Sequence, residues 1–163
     1  MIEQLYEMSY FEQTYGEILD TSKMYSIITE YVPITSEYSF YDFGSGFGKI
    51  VEEYSNKFKL SYGIEINKER YLVSIENSKS DSVSLIYGNF FHTHVHGPCV
   101  VFCNNLCLGN GTLKRLSMKF NEELKCQDLL LVTTPLPLLK KQYSGCYRLN
   151  CSWGESEIYI YEM

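Results

Sequence analysis

The chain of 163 residues has one tryptophan and four prolines, no Cys-x-x-Cys pair and no run of lysine or arginine longer than two. Its apolar runs all fall well short of the ~20 residues that a membrane-spanning helix needs. The opening stretch, MIEQLYEMSYFEQ, is acidic and has no basic segment leading into an apolar one, so a secretory signal is not expected. Without clustered bases there is no stripe to track a phosphate backbone, and strong independent DNA binding is not expected. The six cysteines have neither a zinc-type spacing nor a secretory context, and they read as free thiols of a reducing compartment. Cys99 and Cys103 bound the apolar run CVVFC and read as small hydrophobes of a buried strand.

What is present is ordinary globular composition, 45% apolar and 21% charged, in a length that suits one domain with a real core. Charge is uneven. Residues 1–40 hold Glu3, Glu7, Glu12, Glu17, Asp20, Glu30 and Glu37 against Lys23, and the remainder is balanced, so the whole net charge of −6 sits in the first quarter. That segment is a solvated face or lies near a site that receives a basic partner.

Short apolar runs alternate with helical stretches, the pattern of an α/β domain with a mostly parallel sheet. Strands are expected at 39–43, 59–66, 82–88, 98–104 and 128–134. Helices are expected at 20–31 (opened by Asp20 or Thr21), at 49–57, after a cap at Asn67, and at 111–125 with Leu113, Leu116, Phe120 and Leu124 on one face. The runs CYRLNCS and EIYIYEM, separated by WGES, read as a closing antiparallel hairpin. We divide the chain into an acidic N-terminal segment with a gating loop (1–38) and a catalytic core (39–163), within a single domain overall.

The chemistry concentrates in Tyr41-Asp42-Phe43-Gly44-Ser45-Gly46-Phe47-Gly48, which leaves a strand and opens a helix. Glycine serves where the backbone turns sharply and a ligand approaches the main chain. A dinucleotide fingerprint reads G-x-G-x-x-G; here the third glycine comes one residue early, which favours S-adenosylmethionine (SAM) over a nicotinamide cofactor. The second strand ends on Glu65, whose carboxylate can accept from ribose hydroxyls, and the third ends on Gly88-Asn89-Phe90, where an amide and a ring could hold adenine. His92, His94 and His96 alternate, but Asn89 and Gly97-Pro98 make this a loop, and no metal site is expected.

With these residues in place, the chain resembles the class I methyltransferases. More narrowly it resembles the Dot-type (disruptor of telomeric silencing) histone lysine methyltransferases, which lack a SET domain. Tyr15-Gly16-Glu17 resembles the cofactor-gating loop of that family, Asp42 to Lys49 its glycine motif, Val101 to Gly109 its strand-four signature with a double Asn, and Ser152-Trp153 with Tyr159 the aromatic wall of its lysine channel. The chain has Ile18 where the family has Thr, and Asn89 where it has Asp. Family members also carry an N-terminal helical region, of which this sequence has almost none, and many a basic extension that grips nucleosomal DNA, which is not expected here.

The resemblance implies a Rossmann-like sheet, SAM as cofactor and transfer of its methyl to a lysine of nucleosomal histone H3, hence a nuclear setting. Cofactor contacts are expected from Tyr15, Gly16, Glu17, Asp42, Gly44, Ser45, Gly46, Gly48, Lys49, Glu65, Asn89 and Phe90. Asn104, Trp153 and Tyr159 are the candidate catalytic residues: the rings form a channel that disfavours the ammonium form of lysine, and Asn104 orients the methionine end of SAM or the amine. The alternatives are another class I methyltransferase acting on a small molecule or nucleic acid, and a non-catalytic SAM-binding module. Asn104-Asn105-Leu106-Cys107 lacks the (Asp/Asn)-Pro-Pro-aromatic motif of DNA amino-methyltransferases.

Overall fold

A computed structural model describes residues 15–163. In chain order the elements are α1 (Thr21–Tyr31), β1 (Ser39–Phe43), α2 (Lys49–Tyr54), β2 (Leu60–Glu65), α3 (Lys68–Asn77), β3 (Val83–Tyr87), β4 (Cys99–Cys103), α4 (Asn110–Glu123), β5 (Leu129–Val132), β6 (Gly145–Cys151) and β7 (Gly154–Glu162). Single turns of 3-10 helix occupy Thr35–Glu37 and Phe90–His92.

The strands form one seven-stranded sheet in the order β3-β2-β1-β4-β5-β7-β6. The pairs β3–β2, β2–β1, β1–β4 and β4–β5 are parallel, and β7 runs antiparallel to both β5 and β6. This is the mostly parallel sheet with a closing antiparallel hairpin that the alternating pattern predicted, and the Rossmann-like sheet that the resemblance implied. The strand order reverses between β1 and β4, and in open α/β sheets a ligand crevice forms beyond the carboxyl ends of the strands at that point.

Alternation along the strands divides the core. Phe40, Phe102, Leu129, Leu131, Ile158 and Ile160 face the layer of α1 and α2, whose Met24, Ile27, Ile28, Ile50 and Tyr54 cover them. Tyr41, Phe43, Val101, Leu130 and Val132 face Leu116 and Phe120 of α4. Cys99 and Cys103 are fully buried within β4, as small hydrophobes. The near-continuous apolar runs of β4 and β5 are what a parallel sheet covered on both faces requires.

α1 opens at Thr21 after Asp20, as expected; the Asp20 carboxylate makes no capping bond and instead accepts from the Asn150 backbone N–H at 2.8 Å, tying the helix start to β6. One local expectation changes. The hairpin turn is shorter than WGES, because Ser152 and Trp153 alone connect β6 to β7 and Gly154 (φ +120°) already pairs with Cys151. Asn67 caps α3 as expected, accepting from the Arg70 N–H at 2.9 Å. No helix among the described residues is long and apolar enough to cross a membrane.

Candidate active site

β1 delivers the glycine motif to the crevice. Gly44, Gly46 and Gly48 all have positive φ (87°, 57° and 77°), a conformation that side chains resist. The turn is fastened to the end of β2, with the N–H groups of Gly44 and Ser45 donating to the Ile64 carbonyl at 2.8 and 3.0 Å. The Gly46 N–H donates to Glu65 Oε2 at 2.7 Å, while Glu65 Oε1 accepts from the Asn67 N–H at 2.9 Å and pairs with Arg70 at 3.2 Å. A carboxylate offers about four lone-pair sites; three are engaged here, so the turn and the carboxylate position each other.

A cavity of about 290 Å³ opens beside this turn. That is near the lower end of ordinary ligand pockets. Phe43, Ile64, Ile66, Phe90, Leu106 and Leu108 make most of its wall apolar, and Tyr15, Glu65, Asn89 and Asn104 supply polar groups. Phe90 stacks on Phe43 with centroids 5.3 Å apart and planes 11° apart. Asn89 Oδ1 accepts from the Phe91 N–H at 2.9 Å, an Asx turn that leaves one lone pair.

A second, smaller cavity of about 30 Å³ adjoins the first and is bordered by Glu17, Asp42, Ser45 and Lys49. Asp42 is 3% exposed and its carboxyl borders this smaller cavity. Burial, with a further push from the Glu65 carboxylate, raises its carboxyl from the usual carboxylate range to about 8. A buried carboxyl whose charged form is disfavoured is a place where a cationic ligand would gain by binding.

The roof is non-local. Residues 15–18 lie against the tip of the β6–β7 hairpin: the Glu17 N–H donates to Ser152 Oγ at 2.9 Å, the Ser152 N–H donates to the Glu17 carbonyl at 2.8 Å, and Ile18 bridges Cys151. Ile18, which stands where the family has Thr, is 2% exposed and packs in the α1/α2 layer. The Tyr15 ring lies over Gly46 and edge-on to Phe47 at 5.1 Å, its hydroxyl donates to Glu17, and the Arg70 guanidinium sits 5.2 Å from its centroid. Trp153 lies against Gly16, so closely that a Cβ there would sit 2.7 Å from the indole.

The double Asn divides its labour. Asn105 is fully buried and braces β4 to the end of β5: Oδ1 accepts from the Thr133 and Thr134 N–H groups at 2.9 and 2.8 Å, and Nδ2 donates to the Thr134 carbonyl at 2.8 Å. Asn104 faces the pocket, with Oδ1 accepting from the Thr133 hydroxyl at 2.9 Å and Nδ2 3.5 Å from the Gly16 carbonyl.

The structure thus gathers Tyr15, Gly16, Gly44, Glu65, Asn89, Phe90, Asn104 and Trp153 around one cavity, with Glu17, Asp42, Ser45 and Lys49 around its neighbour and Gly46 and Gly48 in the turn between. It does not bring Tyr159 to them. Tyr159 is level with Val132, packs edge-on against Tyr143 at 5.0 Å and donates to Glu157. It lies five residues along β7 from Gly154, which follows Trp153, about 17 Å by strand rise. The expected aromatic wall of two rings therefore has only Trp153 at the pocket, because a two-residue turn holds that ring at the hairpin tip.

Arg70 and Thr133 escaped the sequence reading; each acts by holding another site residue, and neither lies in a recognisable motif. His94 pairs with Glu123 at 3.2 Å, and no group of potential metal ligands occurs among the described residues. Glu3, Glu7 and Glu12 of the acidic segment lie outside the described residues.

Residues 3–89 match the model of the family described as histone methylation protein DOT1. The chain belongs to this family. DOT1 proteins are class I methyltransferases that use SAM, and the sheet agrees. An RNA methyltransferase from Salinibacter ruber, solved in complex with S-adenosyl-L-homocysteine, superposes with a TM-score of 0.67 at 19% identity, covering 86% of this chain and 90% of that one. Precorrin-6y C5,15-methyltransferase from Geobacter metallireducens gives 0.62 at 14% identity over 85% and 87%. The precorrin 8w decarboxylase of Methanobacterium thermoautotrophicum gives 0.60 at 16% identity over 86% and 89%. At such identities the likeness is one of fold. No curated protein matches the chain.

Proposed function

We propose that this DOT1-family methyltransferase transfers the methyl of SAM to a lysine on the folded face of histone H3 within the nucleosome, and so works on chromatin in a nucleus. The observation that carries the reading is a half-exposed Trp153 set on Gly16 at the mouth of the cavity, beside Asn104, in a chain of that family. SAM, when bound, supplies an electrophilic methyl on a sulfonium.

The residues present fit that cofactor. Asp42 and Glu65 favour a ligand with cationic groups, and Asp42 would accept from its ammonium. The remaining lone pair of Glu65 would take a ribose hydroxyl. Phe43, Ile64 and Phe90 would enclose the base, with Asn89 at its edge, and Tyr15, Gly16 and Glu17 would close over the cofactor as a gate. A lysine amine titrates near 10.4 in water, and the apolar face of Trp153 would favour its neutral, nucleophilic form. Alignment and exclusion of water then account for rate. Tyr159 has no place in this assignment.

Charge supports a protein over a nucleic-acid acceptor, since the chain carries −6 overall and no basic stripe. Side-by-side incubation with labelled SAM and nucleosomes, free histone H3 or RNA tests the reading, with mass spectrometry to locate the mark. Nucleosomes should be preferred. Equal methylation of free H3, or labelling of RNA, would overturn it.

A further inference from the structure

Thr133 is 4% exposed, and its hydroxyl lies within reach of two amide oxygens, Asn104 Oδ1 at 2.9 Å and Asn105 Oδ1 at 3.2 Å. It has one proton to give. Asn105 Oδ1 already accepts the N–H groups of Thr133 and Thr134, which engages both of its lone pairs. The proton therefore goes to Asn104, the nearer of the two. This decides which way the Asn104 amide faces. Turned over, it would place its oxygen against the Gly16 carbonyl and ask the crowded Asn105 oxygen for a third hydrogen bond. The contact from Asn104 Nδ2 to the Gly16 carbonyl is 3.5 Å, too long to hold the amide alone.

We propose that Thr133 is a positioning residue: it turns the NH₂ of Asn104 toward the pocket, where that group donates to the carboxylate at the amino-acid end of SAM. The inference rests on the reading of this cavity as the SAM site and adds the sense of the amide and the residue that sets it. A donor aimed into the pocket matches an acceptor. The incoming amine and the cofactor's ammonium are both met elsewhere, by Trp153 and Asp42.

The test is calorimetry with S-adenosylhomocysteine, which has the carboxylate, and 5′-methylthioadenosine, which does not. Thr133→Val should weaken S-adenosylhomocysteine about fivefold or more, the loss of one charge-assisted hydrogen bond's alignment. It should leave methylthioadenosine within about twofold, and Thr133→Ser should restore wild-type affinity. In an Asn104→Ala background Thr133→Val should add nothing further, as expected for two residues acting through one contact.

Asn104→Asp keeps the acceptor for Thr133 but sets a carboxylate against a carboxylate. It should lose S-adenosylhomocysteine by about fiftyfold or more while keeping methylthioadenosine, and it serves even if Thr133→Val does not fold. Equal losses for both ligands, or tighter S-adenosylhomocysteine binding by Asn104→Asp, would overturn the proposal. Wild-type protein that binds neither ligand would overturn the SAM-site reading itself and this inference with it.

Discussion

Replacing Gly16 with alanine tests whether the roof of the cavity works as a latch. The backbone there needs no positive φ, so the effect is steric alone. The new Cβ would lie 2.7 and 2.8 Å from Trp153 Cε3 and Cζ3. Carbon atoms sit best at about 3.5–4.0 Å, so ring and loop must separate by roughly 1 Å. Compressing a packed contact costs about 1–3 kcal/mol. The two hydrogen bonds joining Glu17 to Ser152 are worth about 1 kcal/mol each. Opening the latch therefore costs about 2 kcal/mol at most, and the loop should part from the hairpin rather than absorb the clash. If the closed loop is required for tight SAM binding, affinity falls by about 5–30-fold.

Trp153 is the sole tryptophan, so its fluorescence reports this contact directly. Gly16→Ala should shift emission to the red and lower SAM affinity in calorimetry while lowering the thermal midpoint by no more than about 4–8 °C. In a Trp153→Ala background the same alanine should cost little. Unchanged emission with unchanged affinity would refute the reasoning, as would a large fall in melting temperature.

Asp42 titrates near 8 in the folded chain against 3.8 in the unfolded one, so the native state binds the extra proton and stability should fall as pH rises from about 4 to about 8. Asp42→Asn should flatten that decline in denaturant titrations across this range while weakening SAM binding; an unaltered slope would contradict the burial argument. Glu65→Ala removes the acceptor for Gly46, Asn67 and Arg70 together, and it should lower both stability and SAM affinity, the latter by about 1.5–3 kcal/mol; unchanged affinity in calorimetry would remove Glu65 from the site. Cys107, Cys126 and Cys146 are exposed whereas Cys99, Cys103 and Cys151 are buried; a thiol reagent should label the first three quickly and the others only in denaturant, and rapid labelling of all six would show a looser core.

The sheet was legible because its signals are local. Apolar runs, Gly-rich turns and the Asn67 cap each act within a few residues, and the strands at 39–43 and 99–103 fall where the pattern places them. The glycine turn and Glu65 were legible for the same reason: each sits at the end of a strand, and strand ends meet at the crevice. The roof was less so. Gly16 meets Trp153, and Asn104 meets Thr133, through contacts that no spacing encodes. Trp153 and Tyr159 look like partners in sequence because both are aromatic residues of the last segment, yet the rise of an extended strand keeps them apart. Asn104 and Asn105 look equivalent in sequence; only the burial of one and the pocket-facing amide of the other separates a brace from a cavity-lining residue.

The seating of residues 17–23 on β6 has a consequence for the order in which the molecule is assembled. Leu19 and Asp20 donate to the Asn150 carbonyl, Lys23 Nζ reaches the Arg148 carbonyl, and Glu17 meets Ser152 across 135 residues of chain. A ribosome makes residues 15–20 long before the hairpin on which they rest. Until the final hairpin has emerged, the nascent chain can form β1 to β5 and the glycine turn, but residues 15–20 have nothing to pair with. Closing so long a loop is among the slower steps of folding. Cofactor binding should accordingly appear late in synthesis, and a chain released before residue 145 would carry Gly44, Gly46 and Glu65 yet leave the crevice without its roof.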